Sequence, residues 1–354
     1  MAASCRFCWR LGAVRFMNSI AYKRSSSGST RLGHNAPYFH NSQRGNKHAM
    51  NRTAFVLGGI MAFLGLEEPK EDPLIYTIKL GILSQQRKEY KKAESILHAA
   101  LKIAQEQMNE DAETYIYDIL ANVAFQKGDH SKAEKLFLEV MRRAISKGMA
   151  HDDNAVVEMS LKLAQIYSLR NDTFKAEEGF RFCTDAQKKK MVAIDMSDAS
   201  VLNDYEQDTL LLWAMSMDAL GKHHMKHDRL KEARSCFEEA LNVCEKVNGK
   251  LHEQTLVLLN DIATVSAHLG NFSSAYEFIG EAIRRGKDSD SSDLPAFYCN
   301  LGAVLLREGH DLERASEVCQ RALRLAKKMK HAEAQKDAEG CLNELKHRKI
   351  NAGR

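Results

Sequence analysis

The side chains best placed for chemistry in this 354-residue chain are His223, His224 and His227, in the stretch "GKHHMKH". His223 and His227 stand four residues apart, so on a helix they share one face and offer two imidazoles to one ion. A zinc hydrolase site of the H-E-x-x-H kind also needs a glutamate between its histidines and a third ligand, and neither accompanies this pair. Exposed helix-end histidines are the expected state. Cys5 and Cys8 form a C-x-x-C, but within a leader expected to be removed. Cys183, Cys236, Cys244, Cys299, Cys319 and Cys341 occur singly, mostly at apolar positions, and are expected to be buried, inert thiols rather than a disulfide framework. No G-x-x-x-x-G-K-S/T, G-x-S-x-G or strand-linked G-x-G-x-x-G is present. The sequence thus predicts no enzyme, no metal, no cofactor and no small-molecule substrate.

What must position these residues is a repeat. "ILANVAFQKGDHSKAEKLF" (119–137) and "LGKHHMKHDRLKEARSCF" (220–237) place small and large apolar residues alike around a polar break. The pattern recurs six times. A small residue comes first (Gly81, Ala121, Ala164, Gly221, Ala263, Gly302), before the break. An alanine follows the break (Ala93, Ala133, Ala176, Ala233, Ala275, Ala315). Four residues later stands a larger side chain (Leu97, Phe137, Phe180, Phe237, Ile279, Cys319). Small residues let two helices approach closely, and the larger one fills the space beside them. Only 4 Pro and 7% aromatic residues agree with an all-α chain.

This skeleton resembles the tetratricopeptide repeat, TPR. The alanines fall 40, 43, 57, 42 and 40 residues apart, against about 34 in the common repeat. The resemblance implies an all-α, right-handed α-solenoid of about six TPR-like hairpins over residues 74–349. The 187–213 insertion before the fourth hairpin is expected to project from the stack or lengthen a hairpin. A charged helix near Glu333–Lys349 is expected to cap the array, and residues 350–354 to form a tail.

Charge separates the chain into two parts. Residues 1–66 hold nine Lys and Arg and no acid. Removing those nine from 51 basic residues leaves 42 against 47 acidic ones, a formal −5 for residues 67–354. A mildly acidic body lacks the basic face that nucleic acid requires. The Arg- and Ser-rich, acid-free start has the composition of a mitochondrial transit peptide or a disordered basic segment, residues 1–52. "TAFVLGGIMAFLGL" (53–66) is an uncharged apolar run; as a helix it spans about 21 Å, a marginal membrane anchor. Residues 67–73 form a linker with two prolines.

Stacked hairpins leave a concave face lined by each first helix. By the repeat's geometry, Tyr115, Asp118, Asn122, Phe125, Gln165, Asp218, Lys222, Met225, Asn260 and Thr264 point into it. Mixed polar and aromatic side chains suit a polypeptide partner. The Lys, Asn and Arg set with which some TPR proteins hold chaperone tails is absent: Lys162 stands where an Asn belongs.

Three longer stretches are more specific: "ETYIYDILANVAFQKG", "HDDNAVVEMSLKLAQIY" and "LNDIATVSAHLGNFSSAYEFI". They resemble the mitochondrial tetratricopeptide repeat protein 19 family over about residues 75–345. That resemblance implies a non-enzymatic protein at the mitochondrial inner membrane. It implies binding to subunits of respiratory complex III and help in its assembly or maintenance, in connection with the Rieske iron–sulfur protein. It assigns no contact residues. Two other functions compete: an import or proteostasis adaptor presenting peptides to a chaperone or protease, and a metal hydrolase using the histidines.

Overall fold

A hairpin forms at every expected break in the computed structural model, which describes residues 71–352. These residues fall into two units, 71–151 and 152–352. The first holds α1 (Pro73–Gln86) paired with α2 (Tyr90–Glu106), and α3 (Glu110–Lys127) paired with α4 (His130–Ser146). The second holds the pairs α5 (Asn154–Leu169) and α6 (Thr173–Met191), α7 (Asp204–Lys226) and α8 (Leu230–Val247), α9 (Glu253–His268) and α10 (Phe272–Asp288), and α11 (Leu294–Glu308) and α12 (Leu312–Met329). α13 (Ala332–Ala352) packs on α12 and α11. The described residues thus form thirteen α-helices and no strand, an all-α repeat fold.

The turns explain why the hairpins recur. In each one residue takes a positive φ: Lys88, Gly128, Asn171, Asp228, Gly270 and Gly309. That left-handed step ends the first helix, and glycine takes it without strain at Gly128 (φ 84°) and Gly270 (φ 78°). Just beyond, Asp129, Asp172, Asn271 and Asp311 accept hydrogen bonds from backbone N–H groups in the next helix's first turn.

Packing follows the small–alanine–large register. All six alanines after the break are fully buried, and all six larger residues are at most 1% exposed. The small residue meets its large partner directly. A Cβ at Gly81 would lie 2.6 Å from Leu97 Cδ2, and one at Gly221 would lie 2.6 Å from Phe237 Cε1. Ala133→Leu should therefore overpack the α3–α4 hairpin, costing about 1–3 kcal/mol. Thermal unfolding of the full chain followed by circular dichroism checks this, and an unchanged melting temperature would count against the register.

Two expectations change, and the insertion takes the second of its two expected forms: it does not project but lengthens the helices on either side of it. α6 runs to Met191, residues 192–203 contain one 3-10 turn (Ala199–Val201), and α7 is 23 residues long. Met191, Ile194, Met196, Ala199 and Leu202 pack on the core around Trp213 and Phe237, because the insertion carries apolar residues that its acidic ones mask in a composition count. Cys319 and Cys341 form a disulfide, although they stand 22 residues apart in the chain. Cys183, Cys236, Cys244 and Cys299 are buried free thiols as expected. Burial raises all four thiol pKa values, to about 11 for Cys236 and about 12 for Cys244 and Cys299. α13 continues to Ala352, into the residues expected as a tail, and residues 353–354 lie outside the described ones. The transit segment, the apolar run 53–66 and most of the linker lie outside the described residues.

Candidate protein-binding surface

In residues 71–151, four of the expected side chains share one face of α3. Tyr115, Asp118, Asn122 and Phe125 follow at three- and four-residue steps, and each is half-buried. The Asn122 side-chain amide donates to the Asp118 carbonyl at 2.9 Å and to its carboxylate at 3.2 Å. Tyr115 packs against the Leu97–Ile116 core. Burial, with the Asp118 carboxylate nearby, pushes its phenol up to about 12. Phe125 stands edge-on to Phe137 and His130. The two rings expected as anchors are thus partly committed to the protein's own core.

In residues 152–352, α5 packs beside α7, and α9 meets α7 through the core shared by Trp213, Leu258 and Ile262, which brings the remaining expected residues onto adjacent helices. Gln165 lies half-buried on α5 and Thr264 half-buried on α9, with its hydroxyl donating to the Asn260 carbonyl. Met225 packs partly into the core around Phe237. Asp218 and Lys222 differ from the expectation of open contact residues. Asp218 is 1% exposed, and the Lys222 ammonium bridges it at 2.9 Å to Asp261 of α9 at 3.4 Å. Burial disfavours the Lys222 cation, but the two carboxylates outweigh that and hold its pKa up. Burial and the neighbouring Asp218 charge raise the Asp261 carboxyl, against the pull of Lys222.

From α9 the polar contacts continue to α11, where the Asn300 amide donates to the Asn260 carbonyl oxygen of the side chain at 2.7 Å. On α5, Lys162 pairs with Glu158 at 2.9 Å. Lys162, Asp261 and Asn300 were not among the expected contact residues. All three stand two positions before the repeat's small residue, a signal present in the spacing. The Lys222–Asp261 and Asn300–Asn260 contacts tie neighbouring first helices to one another, α7 to α9 and α9 to α11.

Lys222→Met should leave two carboxylates facing each other. A fully buried pair loses roughly 3–5 kcal/mol when broken; with the Lys222 side chain 35% exposed, we expect about 2. Adding Asp261→Asn should restore most of the loss, measured by urea denaturation as a double-mutant cycle. Additive effects would show that the bridge carries no coupling.

The histidine cluster is not an exposed helix end. The His223 side chain is 0% exposed, its Nδ1 is 2.7 Å from the Ser168 hydroxyl, and its ring lies 5.4 Å from that of Phe180. The sequence reading missed this because His223 faces α5 and α6, two helices whose contact with α7 no local spacing reveals. The His227 ring lies tilted against that of His223 at 4.6 Å, and Glu177 is 3.8 Å from His223 Nε2. Glu177 is already held by Arg229, so the carboxylate a hydrolytic centre would use is engaged by a guanidinium. Among the described residues, no group of three or more His, Cys, Asp or Glu converges to hold a metal ion.

Comparison with known proteins agrees with this architecture. The family model described as tetratricopeptide repeat matches residues 74–146 and 211–288. Among solved structures, BtubC (BKLC) from P. vanneervenii is similar with a TM-score of 0.51 and 19% identity, covering 74% of this chain and 94% of that one. The apo form of the quorum sensor NprR from B. thuringiensis gives 0.54 and 16%, covering 84% of each chain. Both are likenesses of fold. The sequence is 34% identical to the mitochondrial tetratricopeptide repeat protein 19 of Rattus norvegicus over 268 residues, 73% of each chain. It is also 34% identical to the Drosophila melanogaster homolog over 281 residues, 79% of this chain and 73% of that protein. With the register of six hairpins and this shared length, the chain belongs to the mitochondrial tetratricopeptide repeat protein 19 family.

Proposed function

We propose that this chain is a non-enzymatic scaffold at the mitochondrial inner membrane that binds subunits of respiratory complex III. In this reading it promotes assembly or maintenance of that complex, in connection with its Rieske iron–sulfur protein. The observation that carries the proposal is the half-buried polar side chains on the first-helix faces, Asn122 on α3, Gln165 on α5 and Thr264 on α9. Such a face stabilises one conformation of a partner through differential binding alone. Family membership supplies the mitochondrial setting, since the relatives are named mitochondrial. No described helix is long and apolar enough to cross a membrane, so attachment in this reading rests on residues 53–66. The ten face residues are proposed contacts, and Gln165, Asn122 and Thr264 are half-buried polar groups that a partner can reach without dismantling the Lys222 bridge.

Immunocapture of the full chain from mitochondria, followed by mass spectrometry, tests this. Complex III subunits should co-purify with the natural chain and fall several-fold with Gln165→Lys, while circular dichroism stays unchanged. Dominance of import components or proteases would favour the adaptor instead. Full retention of complex III by the variant would move the contact away from this face.

A further inference from the structure

α13 packs on α12 and α11 through a narrow seam: among its described side chains Ala334, Ala338 and Leu345 are buried, and Arg348 donates to the Leu306 carbonyl. Yet it carries Cys341, whose sulfur is bonded to that of Cys319 on α12, with Cα atoms 6.2 Å apart. That spacing lies within the range a disulfide spans without moving the backbone. The sulfur pair lies beneath α11. A Cβ on Gly302 would sit 2.5 Å from Cys319 Sγ and 3.3 Å from Cys341 Sγ, so three helices meet at one covalent link. Cys319 is fully buried among Leu305, Leu306 and Ala315, whereas Cys341 is only partly covered.

This asymmetry gives the pair a defined order of reaction. We propose that Cys319–Cys341 is a redox-controlled staple of the terminal helix, which fixes α13 to the array when oxidised and releases it when reduced. Closure proceeds by exchange with a small disulfide oxidant such as oxidised glutathione. The more accessible Cys341 thiolate attacks one glutathione sulfur and expels the first glutathione thiolate. Cys319 then attacks the Cys341 sulfur of the mixed disulfide and expels the second. The two cysteine thiols lose two protons and two electrons, and two glutathione thiols receive them. Opening runs the reverse way: a thiolate reaches Cys341, and Cys319 leaves as a thiolate into apolar surroundings, which slows the step. Without the link α13 rests on Ala334, Ala338 and Leu345, on the Cys299 thiol donating to the Ala334 carbonyl and on Arg348 donating to the Leu306 carbonyl, and its departure uncovers the apolar end formed by Leu305, Leu306, Ala322 and Ala326. The device therefore links the redox state of the surroundings to exposure of the last hairpin.

The full chain, equilibrated with mixtures of oxidised and reduced glutathione, provides the test. After acid quenching and alkylation under denaturing conditions, peptide mapping should show Cys319 and Cys341 protected in the oxidised mixture. Cys183, Cys236, Cys244 and Cys299 should be alkylated throughout. Hydrogen exchange of residues 332–352 should accelerate on the order of tenfold or more on reduction. Cys341→Ala should exchange like the reduced natural chain and ignore the glutathione ratio. Its melting temperature should lie roughly 5–10 °C below that of the oxidised chain. Where that variant does not fold, the redox titration of the natural chain decides alone. Alkylation of both cysteines after oxidation overturns the proposal, and so does a bonded pair whose α13 exchange is the same in both states.

Discussion

Phe237→Ala should lower the stability of this chain by about 3–5 kcal/mol, the cost of removing a fully enclosed aromatic ring. Phe237 is 0% exposed and belongs to a core with Trp213, Leu258 and Ile262, so its ring joins α7, α8 and α9. Deleting it removes apolar contact from three helices and leaves a void that the rigid pairing of α7 with α8 closes poorly. For a unit of this length the loss corresponds to a fall of roughly ten degrees in melting temperature. The small partner across the crossing makes the same point from the other side. Gly221→Ala places a methyl 2.6 Å from the Phe237 ring and should destabilise the natural chain. Combined with Phe237→Leu it should cost less than the two separate changes predict, because the smaller side chain makes room. Thermal denaturation of the four chains gives the cycle. A loss below about 1 kcal/mol for Phe237→Ala would mean that the ring does not hold the hairpin.

Acid should weaken the fold well before its Arg-bound carboxylates Glu139 and Glu281 titrate. Burial holds His223 neutral, with the positive neighbours His227 and Arg229 adding to it against the opposing Glu177 charge, and lowers its pKa to about 4. An unfolded histidine takes its proton near 6.5. The unfolded chain therefore binds this proton first. The stability due to neutral His223 is complete above pH 6.5, is lost as pH falls from 6.5 to 4, and changes no further below 4. A shift of that size corresponds to about 3 kcal/mol at most. Burial lowers His224 as well, which steepens the same window. Two Arg-bound carboxylates act at lower pH. Glu139, beside Arg142 and Arg143, and Glu281, beside Arg284 and Arg285, are both lowered to about 2. Their contribution stands above the ordinary carboxylate range and disappears as pH falls towards 2. Urea midpoints at pH 7, 5.5 and 4.5 measure the histidine window. His223→Gln, which retains a polar group for Ser168, should flatten much of the slope, and equal slopes in both chains would refute the assignment.

Much of this protein was legible in one dimension because the repeat is built from local rules. The positions of Gly81, Ala93 and Leu97, and of their five counterparts, follow from helical periodicity and from the size of a helix crossing. The breaks "KGDH", "RNDT" and "LGNF" carry a residue suited to a left-handed step followed by an N-capping side chain, both fixed by residues a few positions apart. Family resemblance was equally accessible, since long quoted stretches carry it. The face residues were only partly legible: Gln165 and Thr264 lie where the pattern places them, whereas Asp218 and Lys222 belong to a buried bridge completed by Asp261.

Sequence alone determined the all-α repeat, the six hairpins of the described residues and the charged helix that closes them. Tertiary structure decided the rest: His223 enclosed by Ser168 and Phe180, the insertion laid against Trp213, Lys222 shared between α7 and α9, and Cys341 joined to Cys319. Each of these joins residues of different helices, from 22 to 55 positions apart where a bond is formed. Periodicity states which face of a helix is apolar; it carries no information on which distant helix supplies the opposing charge, ring or sulfur, and only packing makes that choice.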